Sequence, residues 1–416
     1  MSATKPISVT IDACRSCGRR NLISFLDLGA TPLADHLPTE EELGLPEYRV
    51  PLEVVFCPDC ALVQITETVT PEILFCRNYP YFSSVSPSLM EHFGSSARSI
   101  IDARALDSDS LVVEAASNDG YMLVHFVEAG IPVLGIDPAE GQAKRARERG
   151  VDTLNTFFGL DLANELAGEG KLADVFLANN VLAHVADLNG FVDGISAVLK
   201  DTGVAVIECP YLMRLIEHCE FDTIYHQHLC YFSVTALDKL FRAHGLFLND
   251  VQETEIHGGS LRLFVEKAEA PTDRVRTLLD AEKAAGADAI EFFRTFSDRV
   301  EGLKRDLSTL LAKLRGEGKR VVGYGAPAKG CTMMSYCGIG SEQLDYLVDL
   351  SKAKQGRYMG GSHLKIHSPD RLLEDQPDYA LILPWNFANE IIAQQAEFVA
   401  RGGKFIVPVP EVRITP

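Results

Sequence analysis

The chain has no run of about 18 uncharged apolar residues, so nothing in it reads as a membrane-spanning helix. Its opening residues, MSATKPISVT, lack an apolar core and a small-residue cleavage pattern. No secretory signal is therefore expected, and the expected compartment is the cytoplasm. Basic residues are scarce: 39 Lys and Arg stand against 58 Asp and Glu, a net charge of −19. That balance argues against broad nucleic-acid binding, which needs a basic face. It leaves room for a phosphorylated small ligand, because one lysine or one helix N-terminus can hold a phosphate locally. Core-forming residues are plentiful: 46% are hydrophobic and 23% charged, which excludes wholesale disorder. The 416 residues exceed one ordinary domain, and at about 150 residues each they imply two or three.

Ten cysteines in a cytoplasmic chain should stay reduced. Paired cysteines are then better read as metal ligands than as disulfides. Cys14 and Cys17 form CRSC, and Cys57 and Cys60 form CPDC. Two intervening residues let both thiolates of a pair reach one metal, and four sulfurs suit tetrahedral Zn²⁺. Such a site has no open coordination position, so the zinc is expected to be structural. The long gap between the pairs must hold a small subdomain around DLGATPLADHLP. The other cysteines lack metal spacing and read as small buried hydrophobes.

Residues 111–120, LVVEAASNDG, read as a strand ending at Glu114, a polar loop and a turn at Gly120 before a helix. A second strand, VLGID, ends at Asp137, followed by Pro138. An acid there is placed to accept hydrogen bonds from ribose hydroxyls. Further strands are expected at LNTFF, ADVFLANNVL and GVAVIECPY, alternating with helices, giving a mostly parallel sheet with helices on both faces. The first loop offers Ala115, Ala116 and only Gly120 where a dinucleotide site wants G-x-G-x-x-G. A site for S-adenosylmethionine (SAM) needs no pyrophosphate cradle, so the loop with Glu114, Ala116, Asn118 and Gly120 fits SAM better. Asn179 and His184 follow the fourth strand, where the carboxyl-end loop faces the cofactor.

Several motifs run in order along almost the whole chain: CRSC…CPDC, YPYFSS, VVEAASNDGYML, NNVLAHVADL, ECPYL, FDTIYHQHLCYFS, HGGSLRLFV and GYGAPAKG. In this the chain resembles the sugar C-methyltransferases of antibiotic deoxysugar pathways, the group that includes the C-3′-methyltransferases for tetronitrose and kijanose. The resemblance implies a small zinc domain, a SAM-binding domain and a C-terminal α/β domain. It implies methylation of a carbon beside the ketone of a dTDP-linked 4-keto-6-deoxyhexose, C-3 favoured. It also implies His228 as the base, with Tyr225 orienting substrate or stabilising an enolate, and Tyr79 in the active site. His184 is a second donor or base. Tyr81 and Ser83 of YPYFSS are substrate candidates, and Tyr81 alternatively fills a core.

Two departures matter. The family loop has Gly where Ala116 stands, and an added methyl there crowds the cofactor. The family shows Tyr-His-Glu-His where this chain has Tyr225-His226-Gln227-His228. Glutamine cannot be a general base. Either the family's acid is not the base, or catalysis in this chain is impaired.

Phe293, Phe296, Val300, Leu303, Leu307, Leu310 and Leu314 recur at helical spacing, one apolar stripe of a long helix. The stripe packs on the chain's own domains or forms a dimer seam; a monomer is expected. Residues 317–416 read as a second, smaller parallel α/β sheet. Its GYGAPAKG loop admits an NAD-dependent sugar-nucleotide oxidoreductase as the alternative, but lacks the third glycine. A sugar-nucleotide role is preferred, with Tyr324 and Lys329 near the substrate's diphosphate. The resulting units are 1–75 (zinc), 76–270 (methyltransferase), 271–316 (linking helices) and 317–416 (C-terminal α/β).

Overall fold

The segment between the cysteine pairs alternates buried and exposed residues, the period-two signature of strands with one covered face. In the computed structural model, which describes residues 7–415 apart from 77–81, 86 and 255, these are long antiparallel strands. The N-terminal strands are β1 (Ser8–Thr10), β2 (Ile23–Pro32), β3 (Arg49–Phe56), β4 (Val63–Ile65) and β5 (Glu67–Val69). The helix α1 (Pro87–Arg104) then leads to the central sheet.

That sheet is built by alternation, as the sequence predicts. In order come β6 (Val112–Ala115), α2 (Leu123–Glu128), β7 (Val133–Ile136), α3 (Glu140–Glu148) and β8 (Thr153–Leu154). Next are α4 (Leu160–Gly168), β9 (Ala173–Asn179), α5 (Leu188–Val198), β10 (Leu199–Pro210) and α6 (Leu212–Glu217). Then follow β11 (Cys230–Tyr231), α7 (Val234–Ala243), β12 (Phe247–Thr254) and β13 (Ser260–Glu266). The strand order is β12-β13-β10-β9-β6-β7-β8. The five inner and right-hand strands pair in parallel, and β13 and β12 add an antiparallel edge. HGGSLR is the turn into β13, with Gly258 at φ +90° and Gly259 at φ +121°, a region costly for any residue with a Cβ. Of the expected strand LNTFF only Leu154 is in a strand: β8 is Thr153–Leu154, an edge strand paired on one side, and residues 155–158 have left it.

β11 does not join this sheet. It pairs with β4, so the N-terminal sheet runs β11-β4-β3-β2. A two-residue strand from the middle of the chain thus completes the cysteine-bearing unit.

Two helices follow, α8 (Asp273–Ala285) and α9 (Ile290–Gly316). The α9 stripe is buried against the chain itself: the Phe293 ring lies 5.1 Å from Phe25 and 4.7 Å from Phe56. Leu311 is fully buried where the sequence reading chose Leu310, which is only partly covered. The helical repeat from Leu303 through Leu307 selects 311. The chain ends in β14 (Val321–Tyr324), α10 (Ala328–Cys337), β15 (Leu347–Val348), β16 (Ile366–His367), α11 (Arg371–Asp375), β17 (Tyr379–Ile382), α12 (Ala388–Gln394), α13 (Ala396–Ala400), β18 (Lys404–Val407) and β19 (Arg413–Thr415). Their sheet, β16-β15-β14-β17-β18-β19, is parallel except for β19. The fold is thus α/β with an N-terminal metal module and two Rossmann-like sheets. Among the described residues no helix is long and apolar enough to cross a membrane.

Candidate active site

The loop after β6 turns sharply. Ala116, Asn118 and Gly120 all adopt left-handed backbone, at φ +54°, +50° and +73°. A Cβ on Gly120 would lie 2.9 Å from Val151 Cγ2, so only glycine lets the loop close on the next strand. The coiled loop turns its amides toward the acid after β7. Asp137 accepts from the Asn118 amide at 2.9 Å and the Ala139 amide at 2.8 Å, with half-buried Pro138 between. Burial nonetheless pushes its carboxyl up to about 6. Each carboxylate oxygen has a further lone pair for a ribose hydroxyl.

Glu114 is fully buried and accepts from Asn179 Nδ2 at 3.0 Å. Burial pushes it up to about 8. Its Oε2, Ser117 Oγ and Asn180 Oδ1 are buried with no hydrogen-bond partner among the described residues. Buried polar atoms in a native fold are nearly always paired. Three orphans beside one loop are what a polar cofactor would satisfy, so the residues fit SAM. Ser83 and Ser84 close the loop from outside. Their amides donate to Asn118 Oδ1 at 3.0 Å and Asp119 Oδ1 at 3.3 Å. Asp119, which sequence reasoning passed over, also faces Arg145 and Arg149 at 3.6 and 3.7 Å. Tyr79 and Tyr81 lie outside the described residues.

The second group comes from the 218–231 segment. His228 Nδ1 lies 2.8 Å from the Thr223 carbonyl. A carbonyl only accepts, so Nδ1 carries the hydrogen and the neutral ring has its lone pair on Nε2. The Tyr225 hydroxyl sits 3.1 Å from that Nε2, with the two rings 4.1 Å apart. His184 packs edge-on to His228 at 4.9 Å. Its Nδ1 donates to the Gln227 carbonyl at 2.7 Å. Burial lowers His184 to about 4 despite its bonds to the Gln227 and Asn180 backbone, so it is neutral at physiological pH. The structure thus brings Tyr225, His228, His184 and Gln227 together. The Gln227 side chain bonds Asp35, whose carboxyl is pushed up by burial and held down by that bond and by Lys354. Asp35 lies in DLGATPLADHLP and Thr223 in FDTIYHQHLCYFS, but nothing in those segments singles them out; their contacts come from the fold.

The four cysteines cluster as expected. Cys14 and Cys60 sulfurs are 3.5 Å apart, as are those of Cys17 and Cys57. All four lie within 4.8 Å of one another. A tetrahedron with Zn–S of about 2.3 Å has edges of about 3.8 Å, so the donor set fits zinc. Gln64 donates to Cys14 Sγ at 3.1 Å, and buried Arg15 donates to the Ile65 carbonyl at 2.6 Å. The remaining described cysteines 209, 219, 230, 331 and 337 are buried.

The C-terminal glycine loop is filled by protein. A Cβ on Gly325 would meet Pro384 Cδ at 2.4 Å, and one on Gly330 Leu383 Cβ at 3.2 Å. Asp349 accepts from the Ala326 amide at 2.7 Å, and Lys354 donates to the Ala326 carbonyl at 2.8 Å. The glycines serve close packing, which removes the feature that favoured an NAD site. Tyr324 is buried in the C-terminal core, a different cluster from the one packing Tyr225, and its hydroxyl accepts from Gln395 at 3.3 Å. Lys329 stands 3.7 Å over the Trp385 ring and faces Asp222 and Glu220. Burial raises those carboxyls to about 6 and about 8. The Lys329 ammonium thus lies near two buried acids of the protein.

Comparison with known proteins agrees with this geometry. Residues 14–75 match the family described as "Putative zinc binding domain", 90–250 the "Methyltransferase domain", and 255–410 the "C-methyltransferase C-terminal domain". The chain is 36% identical over 407 residues to the C-methyltransferase NovU of Streptomyces niveus, covering 97% of each. It is 27% identical over 120 residues to a ubiquinone biosynthesis O-methyltransferase of Azorhizobium caulinodans, covering 29% of this chain and 46% of that one. The crystal structure of magnesium protoporphyrin IX methyltransferase from Synechocystis with bound S-adenosylhomocysteine aligns with 43% of the chain and 83% of its own, at 14% identity and a TM-score of 0.34. A cysteine module, a SAM loop and a C-terminal sheet, matched from end to end to a C-methyltransferase, place the chain in that family: it is a SAM-dependent C-methyltransferase with a structural zinc site.

Proposed function

We propose that the enzyme methylates a carbon next to the ketone of a dTDP-linked 4-keto-6-deoxyhexose, C-3 favoured. The sugar class rests on the motif resemblance. The observation that carries the chemistry is the Thr223–His228–Tyr225 chain, at 2.8 and 3.1 Å.

The ketone acidifies the hydrogens on its neighbouring carbon. His228 Nε2 is the lone pair that takes one, and the imidazolium formed keeps its Nδ1–H on the Thr223 carbonyl. Tyr225 donates to Nε2 at rest; with substrate bound its hydroxyl turns to the developing enolate oxygen. His184 stays neutral and holds the Gln227 backbone in place. Tyr79 and Tyr81 are assigned to the substrate side, with Ser83 closing the loop beside them. Glu114, Asn118, Gly120, Asp137, Pro138 and Asn179 hold SAM, which when bound supplies a methyl on a positive sulfur. Ala116 presents its methyl to the same cleft. Gln227 is not the base, because an amide has no proton affinity to offer at neutral pH. Lys329 and Tyr324 are assigned to the diphosphate side of the substrate, in a 317–416 unit read as closing the sugar side of the cleft.

The test is incubation in D₂O with SAM and a panel of dTDP-4-keto-6-deoxy sugars, read by product mass. A gain of one methyl is expected with at least one sugar. His228→Asn should abolish the gain while SAM affinity is retained. Deuterium uptake without methyl gain would mean that the base works and the Ala116 loop obstructs delivery. Failure of both, restored by Gln227→Glu, would show that this chain is an impaired variant. Failure of both with every sugar and with Gln227→Glu would overturn the reading.

A further inference from the structure

A base is only as good as the group that fixes its tautomer. On Nδ1 that group is a backbone carbonyl, on Thr223, with the Tyr225 hydroxyl on the other nitrogen. The peptide carrying it is part of a short 3-10 turn, Phe221–Thr223, a single turn that has no longer helix to anchor it. Thr223 Oγ1 and the Thr223 amide both return to the Glu220 carbonyl, at 2.7 and 3.0 Å. The Ile224 amide, on the same peptide as the Thr223 carbonyl, donates to the Phe221 carbonyl at 3.1 Å, so that carbonyl points where the turn points it.

The C-terminal unit grips the turn on both sides of Thr223. The Trp385 indole Nε1 donates to Asp222 Oδ2 at 2.8 Å. The Thr332 hydroxyl, from α10, donates to the Ile224 carbonyl at 2.9 Å. Asp222 and Thr332 are essentially fully buried, so water cannot replace either bond. The Tyr336 ring, one turn further along α10, stacks edge-on to Phe221 at 5.5 Å. Residues 222 and 224 are therefore each tied to a different C-terminal element, and the turn that aims the Thr223 carbonyl is anchored as a unit.

We infer that Trp385 and Thr332 are positioning residues for the catalytic base: they clamp the 222–224 peptides, and through the Thr223 carbonyl they keep the hydrogen of His228 on Nδ1. The inference rests on the reading of His228 as the base. It gives the C-terminal unit a task in proton abstraction, in addition to any contact with substrate. A displaced carbonyl releases the ring to rotate or to change tautomer, and a displacement of 1 Å is enough to cost about a hundredfold in rate.

The test compares Thr332→Val, Thr332→Ser, Trp385→Phe and His228→Asn in the full-length enzyme. SAM affinity by calorimetry serves as the check on folding. Imidazole nitrogen shifts of ¹⁵N-histidine-labelled protein report the His228 tautomer, its signal assigned by its loss in His228→Asn. Thr332→Val and Trp385→Phe should each lower kcat about tenfold or more, with KM for SAM within about twofold. Both should lose the pattern of a protonated Nδ1 and bare Nε2. Thr332→Ser, which keeps the hydroxyl, should retain both rate and pattern. Folded, SAM-binding Thr332→Val and Trp385→Phe with wild-type kcat would overturn the inference. So would a fallen kcat with the tautomer pattern intact, because the bonds would then act by another route. If His228→Asn keeps full methyl transfer, the reading of the base fails and this inference falls with it. If His228→Asn is inactive and the clamp variants are not, only this inference fails.

Discussion

Ala116 is an L-residue held where glycine belongs. At φ +54° its Cβ crowds the following carbonyl, at a cost of about 1–2 kcal/mol, while glycine there would lose more chain entropy on folding, about 0.5–1 kcal/mol. The first effect is the larger, so Ala116→Gly should stabilise the protein by about 1 kcal/mol in denaturant melts. Half-exposed at the cofactor loop, the lost methyl also opens the cleft, and SAM affinity should rise or hold. A melt that moves down would show that the loop pays no such strain. Glu114 makes the opposite point, that a residue proposed to hold the cofactor can be costly to the ligand-free fold. Its buried carboxyl titrates at about 8, above the ordinary value of 4.5. A raised acid favours the folded state when protonated, so its contribution is complete below pH 4.5 and is lost as pH rises through about 8. Glu114→Gln should remove that part of the pH dependence. The ligand-free variant should gain on the wild type by up to a few kcal/mol at pH 8.5 and by nothing at pH 4. Equal melts at both pH values would place the Glu114 charge in contact with water.

At the scale of elements, periodicity made most of the molecule legible. The strands expected to end at Glu114 and Asp137, which end one residue later and one earlier at Ala115 and Ile136, the helices between them and the long stripe of α9 all follow from apolar spacing. The miss within α9 is instructive: neighbours 310 and 311 are both leucine, and only the phase of the whole helix chooses between them. Phe293 is the anchor of that stripe, fully buried between Phe25 and Phe56. Phe293→Ala should cost about 3–5 kcal/mol through the cavity left between α9 and the N-terminal sheet. Leu310→Ala, at a partly covered position, should cost about 1 kcal/mol or less. Comparable losses for the two would mean that position 310 faces a partner chain. The antiparallel edge β12–β13 and the short β8 were less legible, because edge strands are specified by what they pair with and not by their own pattern.

The whole molecule hides what joins its parts. No pattern in the sequence announces that Cys230 and Tyr231 leave the central unit to pair with β4, or that the Ile65 amide donates to the Leu229 carbonyl at 3.0 Å. Motif order placed the zinc ligands and the histidines in one chain, but only the sheet places them side by side. β4 lies directly after Cys57 and Cys60, so the strand that holds the residues following His228 hangs on the metal site. Zinc is therefore expected to act on catalysis without touching substrate. The SAM loop belongs to a different sheet, one face of which shares its core with the cysteines while the other packs in a core without them. Chelation should lower the melting temperature and speed amide exchange at 63–65 and 229–231. It should reduce kcat while leaving SAM affinity within about twofold, since the cofactor sheet keeps the core on its other face. One metal per chain by mass spectrometry is expected before chelation. Loss of SAM binding in step with kcat would mean that the two sheets unfold together. Full activity in metal-free protein would break the link from cysteine cluster through β4 and β11 to His228.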